Sequence, residues 1–409
     1  MYIKRILILI LGIGLIFMGS FAFYVYKVMF MSNTSFENDY VHIYIKTGTT
    51  IDQLLNQVDS YLLNVDDFNV LAKRKKYNVK AGKYIINKGM SNNDIINTLR
   101  SNNITVNVTF NNINNLNDLA GKISNQIEAD SISFLNSFKS DFFIEKGYDE
   151  ENILSMYIPN SYNFFWNTSA EKFNERMFEE YTKFWQKNNR VEKANKIGLS
   201  KKEVMILASI VYEESKENIE LHKIAGVYMN RLNENWKLQA DPTVKFAAYQ
   251  LDEYKNTIIR RVLNKHLKIN SPYNTYKYKG LPPGPINNPG YDAILAAINP
   301  KKSDLLYFVA DGEGRHIFTK TNKDHNKAKN KLKKKIFILL GVFIGFLALF
   351  YGINISQKTS IYVSGSEIKN LINIWEDQTG RPPTNKEIDM IIKNLSLIHI
   401  SEPTRQAEI

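Results

Sequence analysis

Two adjacent carboxylates, Glu213 and Glu214, close the apolar run Val204-Met205-Ile206-Leu207-Ala208-Ser209-Ile210-Val211-Tyr212. Ser200 and Glu203, three residues apart, fit a capping box and predict a helix opening there. On that helix Leu207, Ile210 or Val211, and Glu214 follow the i, i+3/i+4, i+7 spacing and share the apolar face. Glu is rarely buried without a partner or a task. Desolvation disfavours its charged form, so the spacing predicts a raised pKa for Glu214, which suits a general acid near neutral pH. The same spacing also fits a surface glutamate at a helix end, partnered by Lys or Arg. Glu213 falls on the neighbouring face and is expected in solvent. Another carboxylate, Asp241, lies in Leu238-Gln239-Ala240-Asp241-Pro242-Thr243-Val244. Before a proline it reads as a turn or a helix N-cap.

These carboxylates need a frame. Ser271-Pro272-Tyr273-Asn274-Thr275-Tyr276 precedes the stretch Gly280 to Gly290, which holds four Pro and three Gly in eleven residues. That density excludes helix and central strand. The stretch must be an ordered loop flanked by stackable Tyr, a kind that builds sugar or peptide clefts and also serves as a rigid connector. Leu305 to Ala310 reads as a buried strand, Asp311-Gly312-Glu313-Gly314 as a hairpin turn, and His316-Ile317-Phe318 as the partner strand. Upstream, Val41, Ile43 and Ile45 alternate as a half-buried strand, and Thr50 or Asp52 can cap a helix with Leu54, Leu55 and Val58. A second strand at 84–86 and a helix from Ser91 complete a small α+β module over 40–103. The module resembles the LysM-like module in front of certain murein-cleaving enzymes, which implies glycan contact; a spacer off the membrane fits equally. Ile104 to Phe110 alternates as a strand, and a polar-rich helical stretch follows to about Lys196 with a break at 158–162.

The ends pose a topology problem. Ile6 to Val25 carries no charge, and about 20 apolar residues cross a bilayer. The run ends in Phe21, Phe23, Tyr24 and Tyr26, an interfacial belt rather than the small residues of a cleavage site, so an uncleaved anchor is expected. Lys4 and Arg5 then place the N-terminus in the cytoplasm and the rest outside. A second apolar run, Ile336 to Ile353, also follows a lysine cluster, so both runs ask for the same orientation although consecutive spans must alternate. Residues 361–394, with the turn Gly380-Arg381-Pro382-Pro383-Thr384, resemble the N-terminal part of a membrane-anchored parvulin-type peptidyl-prolyl isomerase. Leu395 to Arg405 looks like translated sequencing adapter. The expectation is a chimera: 1–30 anchor, 40–103 module, 104–330 catalytic domain, 331–394 second span with an isomerase-like fragment, and 395–409 an artefactual tail.

Composition sets outer limits. The chain has 409 residues, Lys+Arg 53 against Asp+Glu 41 for a net +12, 44% hydrophobic and 12% aromatic residues, which is enough for a core in two or three domains. The absence of Cys excludes a disulfide scaffold, a Cys-ligated metal and a thiol nucleophile. The six His show no ligand spacing, so neither metal nor cofactor is expected. The positive charge is spread and does not point to nucleic acid.

The segments ILASIVYEES at 206–215, LQADPTV at 238–244, SPYNTYKYKGLPPGPINNPG at 271–290 and LYFVADGEGRHIF at 306–318, with His325-Asn326, together resemble the endolytic murein transglycosylase family, also called YceG-like, over about 1–330. The resemblance implies an α+β architecture of anchor, LysM-like module and catalytic domain. It implies that Glu214 is catalytic and that the substrate is peptidoglycan. Tyr212 stands where the family often has an acidic residue. The implied reaction cuts the MurNAc-β-1,4-GlcNAc bond of nascent strands, with Glu214 first as acid and then as base, and leaves a 1,6-anhydro end. Gln239, Asp241, Asn274 and Tyr276 are the residues expected to orient the sugar. Peptidoglycan synthases are implied partners, and the catalytic part is expected outside the cytoplasmic membrane. Two other readings stay open: a two-carboxylate muramidase with Asp241 as base or nucleophile, and a non-catalytic cell-wall-binding scaffold.

Overall fold

A computed structural model describes residues 2–215, 217–255, 257–334 and 365–390. They form an α+β protein, mostly helical, with three two-stranded antiparallel sheets among the described residues. The described residues divide into two compact units: those up to 225 with 281–300, and 226–280 with those from 301 onward.

The first unit opens with α1 (Tyr2–Phe30), long and apolar enough to cross a membrane. At 1.5 Å per residue it spans about 43 Å, against about 30 Å of hydrocarbon. Its last turn is tied to protein. Val28 is buried, and its carbonyl accepts a bond from Asn92 Nδ2 at 2.9 Å. Asn33 donates to Asn92 Oδ1 at 2.6 Å and to the Asn64 carbonyl at 2.8 Å. These buried amides satisfy one another and fix how the chain leaves the helix.

Next come β1 (Tyr40–Ile45), α2 (Ile51–Val58), α3 (Val65–Arg74), β2 (Gly82–Asn87) and α4 (Asn92–Ser101). β1 pairs with β2 from Tyr40 opposite Asn87 to Ile45 opposite Gly82. The two-residue period of β1 buries Ile43 and Ile45, which join Leu54, Phe68, Tyr84, Ile95, Ile96 and Leu99 in one core. Thr50, rather than Asp52, caps α2 in a capping box with Gln53, and Ser91 caps α4 likewise with Asp94. Helix α3 is an addition to the expected pattern; Asn64 caps it, and Phe68, Leu71 and Ala72 bury its inner face. Gly82 is required where it stands, because a Cβ there would lie 2.5 Å from the Asn103 amide.

β3 (Thr105–Phe110) precedes the short helices α5 (Leu116–Ser124), α6 (Ser131–Ser137) and α7 (Asp141–Glu145), and β4 (Asn160–Phe165) follows them. β3 and β4 pair from Thr105 opposite Phe165 to Phe110 opposite Asn160. Residues 160–162 therefore open a strand, where sequence alone showed a break between helices. α8 (Ala170–Gln186), α9 (Arg190–Lys196) and α10 (Lys201–Glu214) continue the first unit. α11 (Asn218–Asn233) runs on into the second.

The second unit holds α12 (Asp241–Tyr249), α13 (Asn264–Leu267), and the hairpin of β5 (Tyr307–Ala310) and β6 (His316–Thr319). α14 (Tyr291–Ile298) belongs to the first unit. Tyr307 to Val309 are half-buried and Ala310 is exposed, so β5 is not the fully buried strand its apolar run suggests. Near the C-terminus, Arg381 pairs its two terminal guanidinium nitrogens with Glu387 at 2.9 and 2.8 Å, just after Gly380 at φ 73°. The second apolar run, Ile336 to Ile353, and the tail from Leu395 to Arg405 lie outside the described residues.

Candidate active site

Helix α10 starts as its sequence predicts: Ser200 and Glu203 form the capping box. Its middle differs from expectation. All residues from Val204 to Val211 are buried, so α10 is covered on every side rather than along one stripe. One cover is α14, whose Ala293, Ala296 and Ala297 are buried and small enough to permit close approach. A buried face therefore does not by itself single out Glu214. What distinguishes Glu213 and Glu214 is that they sit in the last turn, where α10 leaves the core. Glu214 is half-buried, not sunk in the core. Glu213 is exposed, yet its Oε1 accepts a bond from Asn287 Nδ2 at 2.9 Å, so it is not simply solvated.

The Pro/Gly loop makes this possible. Such a segment cannot satisfy its own backbone groups by regular pairing, so side chains must do it. Asn287 Nδ2 also reaches the Ser209 carbonyl at 3.2 Å, and the Ile286 amide donates to Ser209 Oγ at 3.1 Å. Asn288, fully buried, accepts from the Ile113 amide through Oδ1 and donates to the Tyr157 carbonyl at 3.0 Å. Asn112 Nδ2 donates to the Asn288 carbonyl at 2.7 Å. Tyr157 is itself anchored: its hydroxyl donates to Asn174 Oδ1 at 2.7 Å, and burial pushes its pKa well above the ordinary tyrosine range. The loop is thus pinned to α10 and to the segments that follow β3 and precede β4. At its close, a Cβ on Gly290 would sit 3.2 Å from the Tyr212 ring. Asn111, Asn112, Pro159, Tyr212 and Gly290 line a cleft of about 450 Å³. The cleft thereby reaches α10 two residues before Glu214.

The other four expected residues belong to the second unit, which brings them together. The Gln239 amide donates to the Thr275 carbonyl at 3.1 Å, and the Ala240 amide to Thr275 Oγ1 at 3.0 Å. Thr243 and Thr275 join hydroxyls at 2.8 Å. These bonds zip the start of α12 to the 271–278 turn. Asp241 is exposed and accepts from the Tyr276 hydroxyl at 2.6 Å. Ala240, not Asp241, is the N-cap of α12, and it caps with no side-chain bond. The Asp241 carboxylate is thus spent on Tyr276 in place of the capping role. Gln239 is exposed and stands at φ 51°, a left-handed conformation that is uncommon outside glycine. Asn274 corrects an expectation. It is fully buried, its Nδ2 is bound to the carbonyls of Leu267 and Ile269, and its Oδ1 accepts from the Tyr276 amide. With its amide committed inward, it shapes the turn that carries Tyr276 and does not present itself to a ligand.

Asn287, Asn288, Tyr212 and Gly290 were not foreseen as site residues. The available signal was the Asn-Asn pair inside a Pro/Gly loop that had no other way to bury its backbone.

A profile described as the YceG-like family matches residues 43–331. The protein named endolytic murein transglycosylase in Bacillus subtilis (strain 168) is 34% identical over 317 residues, covering 71% of this chain and 84% of that one. The protein of the same name in Streptococcus pneumoniae serotype 2 (strain D39 / NCTC 7466) is 29% identical over 294 residues, and the chain spans about half its length, 52%. A crystal structure of a yceG-like protein from Listeria monocytogenes is 27% identical, with a TM-score of 0.48, over 71% of this chain and 99% of that one.

Proposed function

The chain belongs to the YceG-like family, and on that premise we propose that it is an endolytic murein transglycosylase, cutting peptidoglycan strands internally. The observation that carries this is the match to the YceG-like family across 43–331 and the 34% identity to a protein of that name, with Glu214 in the last turn of α10, whose residues from Val204 to Val211 are all buried.

Glu214 serves as the single acid and base. Protonated, it donates to the glycosidic oxygen of the MurNAc-β-1,4-GlcNAc bond as positive charge grows at the anomeric carbon. Deprotonated, it then takes the proton of the muramyl C6 hydroxyl, which closes on C1 to give the 1,6-anhydro end. No water enters, so no second carboxylate is needed, in contrast to ordinary glycoside hydrolysis. Three features support the assignment. Glu214 is half-buried at the end of α10, which keeps its carboxyl partly out of bulk water. The negative end of the α10 dipole also disfavours a carboxylate in the last turn. Finally, the Asn287 bond to Glu213 braces the turn against the loop. Gln239, Asp241 and Tyr276 contribute hydrogen bonds to the sugar, and Asn274 holds the turn that carries Tyr276.

Helix α1 anchors the chain in the cytoplasmic membrane in a single pass, with Lys4 and Arg5 inside and the catalytic part outside. Residues 40–103 form the membrane-proximal module and 104–330 the catalytic domain. From that position the enzyme limits the elongation of strands emerging from peptidoglycan synthases. Mass spectrometry of products formed by the full chain on uncrosslinked glycan tests the reaction. Anhydro ends without added water are expected, whereas products one water heavier would mean a muramidase.

A further inference from the structure

A second cleft, of about 490 Å³, lies along the same two chain segments as the first. Pro159 and Gly290 line the first; Ile158, Asn160 and Tyr291 line the second. Its other walls come from α8, the turn after it and the start of α9, where Lys183, Lys187 and Arg190 line the cleft together with one carboxylate, Glu180. Hydrogen bonds from Arg176 and Lys183 already hold Glu180 at 2.8 and 3.1 Å. Burial works against its charge, but those bonds outweigh it and keep the carboxyl below the usual range.

Arg190 is the unusual member. It is 3% exposed, with its guanidinium 4.1 Å from the Phe184 ring centre and 5.3 Å from that of Tyr291. It donates to the Phe184 carbonyl at 2.6 Å and to the Tyr291 hydroxyl. Its Nε is buried with no partner. None of the ion pairs among the described residues involves Arg190 or Lys187. A buried cation without a counter-anion is costly, and charged groups in such places are usually paired. The arrangement lacks an anion.

We propose that this cleft takes the free carboxylate of a peptide branch on the glycan strand. The proposal rests on the murein-cleaving function above. A strand lying in the cleft beside Tyr212 and Gly290 would send a lactyl-linked peptide along the 158–160 and 290–291 segments into the cationic cleft. The exposed Lys183 and Lys187 supply the charge-assisted donors for a carboxylate, and the buried Arg190 guanidinium adds positive charge behind them. Glu180 on the rim favours a singly charged group over a doubly charged phosphate. The aromatic walls of Tyr162, Phe184 and Tyr291 suit the apolar part of a short peptide.

The test uses the full chain in detergent with a soluble stem tetrapeptide, the same peptide amidated at its C-terminus, and inorganic phosphate as competitor. Calorimetry should show binding of the acid, weakened about tenfold by amidation, as expected for losing a charge-assisted bond. Lys187→Glu, on an exposed residue that the fold does not need, should weaken the acid by about tenfold or more and leave the amide unchanged. In turnover, Lys187→Glu should raise KM for peptide-bearing strands at constant kcat and leave peptide-free strands unaffected. Equal affinity for acid and amide, indifference to Lys187→Glu, or tight displacement of the peptide by phosphate would each overturn the proposal. Because peptide binding is read without catalysis, a wild-type chain that binds the acid but cleaves no glycan would refute the proposed enzyme function alone.

Discussion

Replacing Asn288 with Ala tests whether the Pro/Gly loop is held by its asparagine side chains. Asn288 is fully buried, its Oδ1 takes the Ile113 amide, and its Nδ2 reaches the Tyr157 carbonyl at 3.0 Å. Truncation strands one backbone donor and two acceptors, since Nδ2 also reaches the Asn111 carbonyl at 3.4 Å. Each costs about 1–3 kcal/mol. The neighbouring cleft lined by Asn111 and Asn112 can admit water and offset part of this, so a net loss of about 2–4 kcal/mol is expected. For a unit of this size each kcal/mol lowers Tm by about 2–4 °C, giving a fall of roughly 5–15 °C. Near-UV circular dichroism of the full chain in detergent measures it. Asn288→Asp keeps an acceptor for Ile113 but turns a carboxylate toward the Tyr157 carbonyl, and should be at least as damaging near neutral pH. Glycan cleavage should fall well below the melting temperature in both variants, since the same loop carries Asn287 to Glu213. A Tm within about 2 °C of wild type for Asn288→Ala would show that the loop is held by something else.

Three further outcomes are expected. Gly290→Ala forces a methyl to 3.2 Å from the Tyr212 ring and should cost about 1–2 kcal/mol, recovered in the Gly290→Ala/Tyr212→Ala pair; a double variant no better than the sum of its singles counts against that contact. Tyr77, pushed up to about 12 mainly by burial, stabilises the fold fully below the ordinary tyrosine pKa of 10.0, and this contribution is lost as pH rises from there through 12. Tyr77→Phe should therefore lose less stability between those pH values than wild type, and identical alkaline denaturation curves would contradict the assignment. Tyr276→Phe removes the 2.6 Å bond to an exposed Asp241 and should barely move Tm while raising KM for glycan several-fold; unchanged KM would remove the pair from the sugar site.

Local chemistry was the most legible part of the sequence. Ser200 with Glu203, and Ser91, announced helix starts because a cap acts on residues a few positions on in the chain. The β1 alternation and the β5–β6 hairpin turn were visible for the same local reason. Strand β4 was hidden, because Asn160-Ser161-Tyr162 gains its extended form only by pairing with β3, some fifty residues earlier in the chain. Helix α3 had readable signals in Asn64, Phe68 and Leu71, but no strong apolar run drew attention to it. At the candidate site, periodicity pointed to Glu214 through an apolar stripe, whereas the structure buries α10 all round and isolates Glu214 only by its place in the last turn. The asparagines that brace that turn were out of reach, since their partners at Tyr157, Ile113 and Ser209 are distant in sequence. Asn274 misled in the opposite sense: a polar residue between tyrosines looks like a ligand contact until its amide is found bound to Leu267 and Ile269.

The most direct measurement compares wild-type and Glu214→Gln chains on uncrosslinked glycan strands, with products weighed by mass spectrometry. Wild type should release fragments ending in 1,6-anhydro sugars, and Glu214→Gln should release about a thousandfold fewer while keeping its fold and its hold on the glycan. Undiminished release of anhydro ends from Glu214→Gln would mean that another group moves the proton.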